Sequence, residues 1–164
     1  MSDAPTKLAR TLRFDESDLN IFERAAEPDE WAISGAFAFS DLTEMPSGKA
    51  RQAFSNGWLG LETFGRATVV AVAQIAPAEY AAQVDALAAY FVAEWGAPDL
   101  EAARPVAAEE LAFMASLAEE HAPNTLLVVE RRLVDAGVAE SFRAIRPQDA
   151  SLDIVAVHGS LDED

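Results

Sequence analysis

The chain has 164 residues, of which 28 are acidic, 12 are basic and none is cysteine. This length fits one globular domain, which buries roughly two-thirds of its unfolded surface without a disulfide or a metal. The absence of cysteine excludes thiolate zinc sites, iron–sulfur clusters and cysteine catalysis. The net charge of −16 opposes binding to nucleic-acid phosphates or to an anionic membrane surface.

No segment indicates secretion or membrane insertion. The N-terminus lacks the apolar core of a signal peptide, and the longest apolar run, residues 67–73, is far shorter than the roughly 20 residues that a membrane helix needs. We therefore expect a cytoplasmic protein that contacts neither membrane nor nucleic acid. Residues 76–164 carry 5 basic and 17 acidic side chains, so the acidity lies mainly in the second half.

The first half of the chain predicts strands. Large side chains alternate along residues 7–14 and 31–39, a period of two that is typical of a half-buried strand. The row opposite the aromatic side chains of residues 31–39 is small, from Ala32 to Ala38, so another element can approach it closely. Residues 67–75 form a nearly continuous apolar run, which indicates an interior strand.

The second half predicts helices and then a hairpin. A short helix over residues 47–56 would end at a left-handed Gly57, and longer helices follow over residues 77–95 and from Pro105 to His121. The pattern then predicts a hairpin, formed by residues 125–134 and a second strand that ends at Ile145. It also predicts an edge strand over residues 152–157.

This order of elements predicts an α+β fold. We expect a single, mostly antiparallel sheet, with the two long helices and the short helix packed on one face. Residues 1–149 form the domain, and residues 150–164 form a C-terminal extension with an acidic end.

Signatures of common catalytic and metal sites are missing. Gly48-Lys49 is followed by Ala50 without the upstream glycine of a phosphate-binding loop, and no nucleophile-elbow or zinc-protease motif occurs. His121 has Ala118, and not glutamate, three residues before it, so it lacks the helical di-metal motif. We expect no metal and no cofactor, and the sequence leaves open whether the protein is an enzyme.

Arg10 is predicted to be buried. It shares strand parity with Leu8 and Leu12, and a buried guanidinium needs an anion beside it. The candidate carboxylate partners within the chain are Glu23, Glu62 and Glu130.

Residues 57–66 form the candidate binding site. Three glycines in ten residues indicate special backbone geometry, which fits either a purely structural loop or a ligand-binding loop. In the second case Trp58 and Phe64 would form an apolar wall, and the polar contacts would come from Glu62, Arg66 and two more distant arginines, Arg24 and Arg143.

Four segments resemble a small alphaproteobacterial family of unknown function: residues 22–39 (FERAAEPDEWAISGAFAF), 48–54 (GKARQAF), 57–60 (GWLG) and 96–100 (GAPDL). The resemblance covers residues 7–149. It implies a bacterial cytoplasmic protein and carries over no catalytic residue.

The sequence is compatible with two functions. The first is a noncatalytic accessory protein that binds a protein partner, either an unidentified protein or a second copy of the chain, through an apolar patch near Trp58 or residues 32–38. The alternative is a small-molecule-binding protein or enzyme that holds an anionic ligand near residues 57–66.

Overall fold

A computed structural model describes residues 6–12 and 21–145. Within these ranges the strands are β1 (Lys7–Leu12), β2 (Trp31–Ile33), β3 (Trp58–Gly60), β4 (Arg66–Ala67), β5 (Val69–Gln74), β6 (Leu126–Val134) and β7 (Gly137–Ile145). The helices are α1 (Gly48–Asn56), α2 (Pro77–Glu94) and α3 (Leu100–Glu119), and residues Ala36–Phe39 form a 3-10 turn.

The seven strands form one antiparallel sheet in the order β4-β3-β2-β1-β5-β6-β7. β1 is central and pairs with β2 and with the full length of β5, while β6 and β7 form the predicted hairpin. Helix α3 packs against β1 and β2, and helix α2 packs against α3. This arrangement confirms the predicted α+β fold.

The core joins the sheet to the two long helices. Leu8 and Ala9 of β1 are both fully buried, so both faces of the central strand are covered. Leu87 of α2 and Met114 of α3 belong to the same buried cluster. Burial of these apolar surfaces is the main driving force for folding.

The strand predicted over residues 31–39 is wrong beyond Ile33. Gly35 has a positive φ of 76°, which turns the chain into the 3-10 segment. The carbonyl groups of Ser34 and Gly35 accept hydrogen bonds from arginine side chains. The alternation seen in the sequence therefore continues past the end of the strand.

Two predicted helix boundaries are also wrong. Helix α3 begins at Leu100, where the Asp99 side chain accepts a hydrogen bond of 2.8 Å from the Ala102 amide, so Pro105 lies inside the helix and does not open it. Gly57 follows α1 in an extended conformation with φ −91°, and not in the left-handed one.

The prediction that Arg10 is buried is wrong. Its side chain is 36% exposed and lies over the Trp31 ring, 3.9 Å from the ring centroid. Its carboxylate partner is Glu79, at 3.8 Å on the half-exposed start of α2, and none of the three candidates. Arg10 keeps its apolar stem against Trp31 and its charged end in water, as arginine does at the edge of a core.

Several sequence predictions lie outside the described residues. They are the end of the first strand at Phe14, the edge strand over residues 152–157 and the acidic extension. Among the described helices, none is long and apolar enough to cross a membrane.

Glu30 is a buried carboxylate that organises the loop after β3. It is 2% exposed and accepts hydrogen bonds from the amides of Glu27, Glu62 and Thr63 at 2.7–2.9 Å, and from the Thr63 hydroxyl. A Cβ on Gly60 would lie 2.3 Å from Glu30 Oε1, so only glycine leaves space for the carboxylate. Residues 61–65 thus fold around one acidic side chain.

Glu30→Gln should destabilise the protein by about 3 kcal/mol. The side-chain NH₂ group of glutamine is a donor, so it cannot accept the backbone N–H hydrogen bonds that one carboxylate oxygen of Glu30 accepts. Urea unfolding followed by tryptophan fluorescence measures this loss. Glu27→Gln, at an exposed position in the same loop, is the matched control and should change stability by less than about 0.5 kcal/mol. Equal stabilities of the two variants would contradict the assigned role of Glu30.

Candidate functional site

Two arginines, Arg66 of β4 and Arg131 of β6, are buried beside each other. Both donate hydrogen bonds to the carbonyl groups of Ser34 and Gly57. Arg66 also donates to the Gly35 carbonyl at 3.1 Å. We call these two side chains the arginine pair.

Arg131 caps the C-terminal end of helix α1. Its guanidinium donates to the carbonyl groups of Ala53, Phe54 and Gly57 at 3.3, 2.9 and 2.9 Å. The last turn of α1 contains no basic residue of its own. A cation at this end satisfies free carbonyl groups and complements the helix dipole.

One carboxylate serves the arginine pair directly. Glu140 of β7 lies opposite Arg131 in the hairpin register, accepts a hydrogen bond of 2.8 Å from Arg131 Nε and also accepts one from the Ser34 hydroxyl. Among the described residues, no carboxylate lies within ion-pair distance of Arg66. The buried cluster therefore holds two cations and one anion.

Burial lowers the pKa of both arginines. Burial, and then the charge of Arg131, lower the pKa of Arg66 to about 9, and burial also lowers the pKa of Arg131. Arg66 remains protonated at neutral pH and brings a fixed positive charge. The carboxyl pKa of Glu110 on α3 is raised by burial and, to a smaller extent, by the charge of Glu140.

A small surface cavity of about 180 Å³ lies beside Arg66, and we call it the cationic pocket. Three of the residues that line it are cationic and one is acidic. The full lining is Phe22, Glu23, Arg24, Lys49, Ala50, Ala53, Phe64 and Arg66. Arg24 is exposed and donates a hydrogen bond to the Thr63 carbonyl at 3.1 Å.

The structure brings together only part of the predicted site. Arg24 and Arg66 line the cationic pocket together with Phe64. Trp58 is fully buried against Phe142, with its indole N–H unpartnered within the described structure.

The remaining two candidates lie outside this pocket. Glu62 is exposed and does not line it, although its amide contributes to the Glu30 network. Arg143 is exposed on β7 and lines a separate groove of about 570 Å³ with Glu130. Lys49 is a pocket cation that no pattern in the sequence indicates, because only the fold brings α1 next to Arg66.

A second surface feature, the apolar groove, lies where α2 turns into α3. It has a volume of about 380 Å³ and only nonpolar lining residues: Phe37, Phe91, Trp95, Gly96, Ala97, Pro98, Ala102, Ala103 and Val106. Phe37 contacts the rings of Phe91 and Trp95 edge-on, at centroid distances of 5.0 and 5.5 Å. These three rings, packed edge to face, form one wall of the groove.

The exposed apolar patch overlaps its expected place only in part. Trp58 and Ala32 are buried, whereas Phe37, within residues 32–38, lines the groove. Trp95, which continues the apolar stripe of α2 in the sequence, is 46% exposed because α2 ends at Glu94 and the chain turns away.

The described residues contain no group of three acidic or histidine side chains placed to hold a metal ion. The carbonyl of His121 accepts a hydrogen bond of 2.8 Å from Lys7 Nζ.

The chain belongs to a family of unknown function (DUF6505), whose model matches residues 6–163. This agrees with the resemblance to an uncharacterised family. No curated protein and no solved structure matches the chain significantly.

Glu140→Gln should destabilise the protein by about 2 kcal/mol, since it removes the one carboxylate bonded to a buried guanidinium. Chemical unfolding measures the change in the free energy of unfolding. Glu130→Gln, an exposed change on the neighbouring strand, is the control and should cost less than about 0.5 kcal/mol.

A second readout of Glu140→Gln is independent of global stability. The Glu110 carboxyl should titrate at a lower pKa in the variant, because one negative charge near it is gone. An unchanged Glu110 titration by NMR, together with unchanged stability, would contradict the described cluster.

Proposed function

We propose that this protein binds a protein partner, and that the apolar groove receives a basic, amphipathic helix of that partner. The observation that carries the proposal is the exposure of large apolar side chains around one groove. Trp95, Leu100 and Val106 are 46%, 41% and 49% exposed. Clustered apolar exposure of this kind is a mark of an interaction surface.

A further exposed apolar side chain lies along α3, beyond the acidic residues Glu109 and Glu110. Phe113 is 48% exposed and lies seven residues after Val106, which is close to two helical turns. Both side chains therefore lie on the same side of the helix. A partner helix with apolar residues at the same spacing would match this stripe.

The charge around the groove favours a basic partner. Glu94, Asp99 and Glu101 are exposed at the ends of α2 and α3 that frame it. Arg104, the basic residue nearest along α3, is engaged with Asp85 at 2.9 Å. A basic rim on the partner would be attracted, and would associate faster at low salt.

The same charges disfavour a second copy of the chain as the occupant. Two copies would bring together acidic rims from molecules that each carry a net charge of −16. Like-charge contact at an interface costs several kcal/mol. We therefore propose that the partner is a different protein. The sequence and the resemblance imply that the two meet in the cytoplasm of alphaproteobacteria.

The test compares affinity capture from the native host by the wild type and by a Trp95→Ser, Val106→Ser double variant. Val134→Ser is the matched control, because Val134 is 40% exposed at the hairpin and does not line the groove. The captured protein is then purified, and its affinity is measured directly. We expect about a 30-fold loss for the double variant, as for an interface centred on tryptophan, and none for the control.

An unchanged melting temperature of each variant shows that the fold is intact. If Trp95→Ser unfolds the protein, the single variant Val106→Ser replaces the double variant. Glu101→Lys should lower the affinity of the same complex, and this loss should be larger at low salt than at high salt. The proposal is wrong if no purified partner depends on Trp95 or Val106, or if the dependent partner presents an acidic segment. A groove-dependent dimer of this chain would also overturn it.

A further inference from the structure

We infer that the cationic pocket binds a small oxyanion, a phosphate or carboxylate group carried on a compact apolar body. The site is separate from the apolar groove, and the two proposals stand independently. Nothing in the partner-binding proposal requires it.

The local charge of the pocket is opposite to that of the protein. Arg24, Lys49 and Arg66 line it with Glu23 as the one acidic lining residue, in a chain with a net charge of −16. Within the described residues, none of the three cations has an ion pair with a carboxylate. Convergent cations that are not ion-paired with carboxylates are what an oxyanion site provides.

Arg66 gives the site a positive charge whose position is fixed by hydrogen bonds. It is 9% exposed, and its two terminal nitrogens are held by the carbonyl groups of Ser34, Gly35 and Gly57. Neighbouring Arg131 is paired with Glu140 at 2.8 Å, so the charge of the buried cluster that no carboxylate offsets is that of Arg66. A buried net charge of this kind is stabilised by an anion at its surface.

Helix α1 contributes to the same field. Its first turn contains no acidic residue, and the Ser47 side chain makes no capping hydrogen bond, so the positive end of the helix is not neutralised locally. Lys49 and Ala50 of that turn line the pocket. The helix dipole therefore acts in the same direction as the three cations.

The size and the walls of the pocket define the ligand class. Its volume of about 180 Å³ admits a small molecule only, and Phe22 and Phe64 supply apolar walls. Phe64 is fixed by stacking on Tyr90 at 3.9 Å between ring centroids. A monophosphate or monocarboxylate with a ring-sized apolar group fits both the cations and the aromatic walls.

The experiment titrates the full chain with phenyl phosphate, benzoate and inorganic phosphate at constant ionic strength, followed by ¹H–¹⁵N NMR. We expect saturable shifts around residues 22–24, 49–53 and 64–66. Arg24→Gln and Lys49→Gln, both at exposed positions, should each weaken binding by about tenfold, the loss of one charge-assisted contact.

Two further variants make the result specific. Arg51→Gln removes the same charge from an exposed position on the same helix but outside the pocket lining, and should change the affinity less than about twofold. Glu23→Gln removes the opposing charge and should tighten binding. Preference for phenyl phosphate or for benzoate identifies the anionic group.

No saturable shift with any of the three probes overturns the inference. Equal weakening by Arg51→Gln and Arg24→Gln also overturns it, since that pattern reports diffuse charge. Because no variant touches the apolar groove, failure here leaves the partner-binding test unaffected.

Discussion

The bonding of Arg131 is the interaction on which the rest of this structure depends. From its place on β6 it reaches the last carbonyl groups of α1, the carbonyl at the end of β2 and the carboxylate of Glu140 on β7. Arginine suits this position because one planar group can donate five hydrogen bonds in fixed directions. Without it, the Phe54 carbonyl at the end of α1 would lose this hydrogen bond, and the Ser34 and Gly57 carbonyls would keep only Arg66 as a side-chain donor.

This network also explains why Arg66 can be buried without a carboxylate of its own. Three backbone carbonyl groups replace its hydration, and the Phe39 ring lies 4.8 Å from its guanidinium. Backbone carbonyl groups satisfy the N–H donors but do not neutralise the charge. The remaining positive field extends to the neighbouring pocket, where α1 and the segment at residues 22–24 bring two more cations.

Period-two and helical patterns were sufficient to predict most of the sheet, both long helices and the hairpin. The short strands β3 and β4 were missed, because residues 57–66 were interpreted as a glycine-rich loop. The pattern failed at residues 34–39, where alternation persists but the backbone bonds to arginine side chains and not to a neighbouring strand. The pattern also failed at Arg10. Alternation along a strand predicts on which face of the sheet a residue lies, but an arginine at the margin of the core keeps its charged end in water. The buried arginine, Arg131, lies in a hairpin strand where Glu140 is its cross-strand partner, and that register follows from the turn length.

The sites were harder to predict because they depend on contacts distant in sequence. Arg66 was a candidate because it lies in the glycine-rich stretch 57–66, and Arg24 was a candidate as one of the few cations, whereas Lys49 joins them only through the packing of α1. Trp58 fits a binding role by residue type, yet β3 places it inside the core. Trp95 reads as the last member of an apolar stripe, and its exposure follows from where α2 ends.

The two surfaces that result differ in chemistry and place. The apolar groove has an acidic surround and suits a basic, apolar segment of a protein, while the cationic pocket suits a small anion. In an acidic protein the second surface combines the exposed cations Arg24 and Lys49 with Arg66, which backbone carbonyl groups hold in place. The buried network thus stabilises the fold and supplies one of the three charges of the candidate ligand site.

The most direct test of this account is NMR of the arginine side chains in the wild-type protein. The account predicts that the guanidinium protons of Arg66 and Arg131 give separate signals that exchange slowly with water at neutral pH, since carbonyl groups hold both side chains. Exposed Arg24 and Arg143 should give averaged, rapidly exchanging signals. Rapid rotation and exchange at Arg66 and Arg131, indistinguishable from the exposed arginines, would contradict the central role assigned to the buried pair.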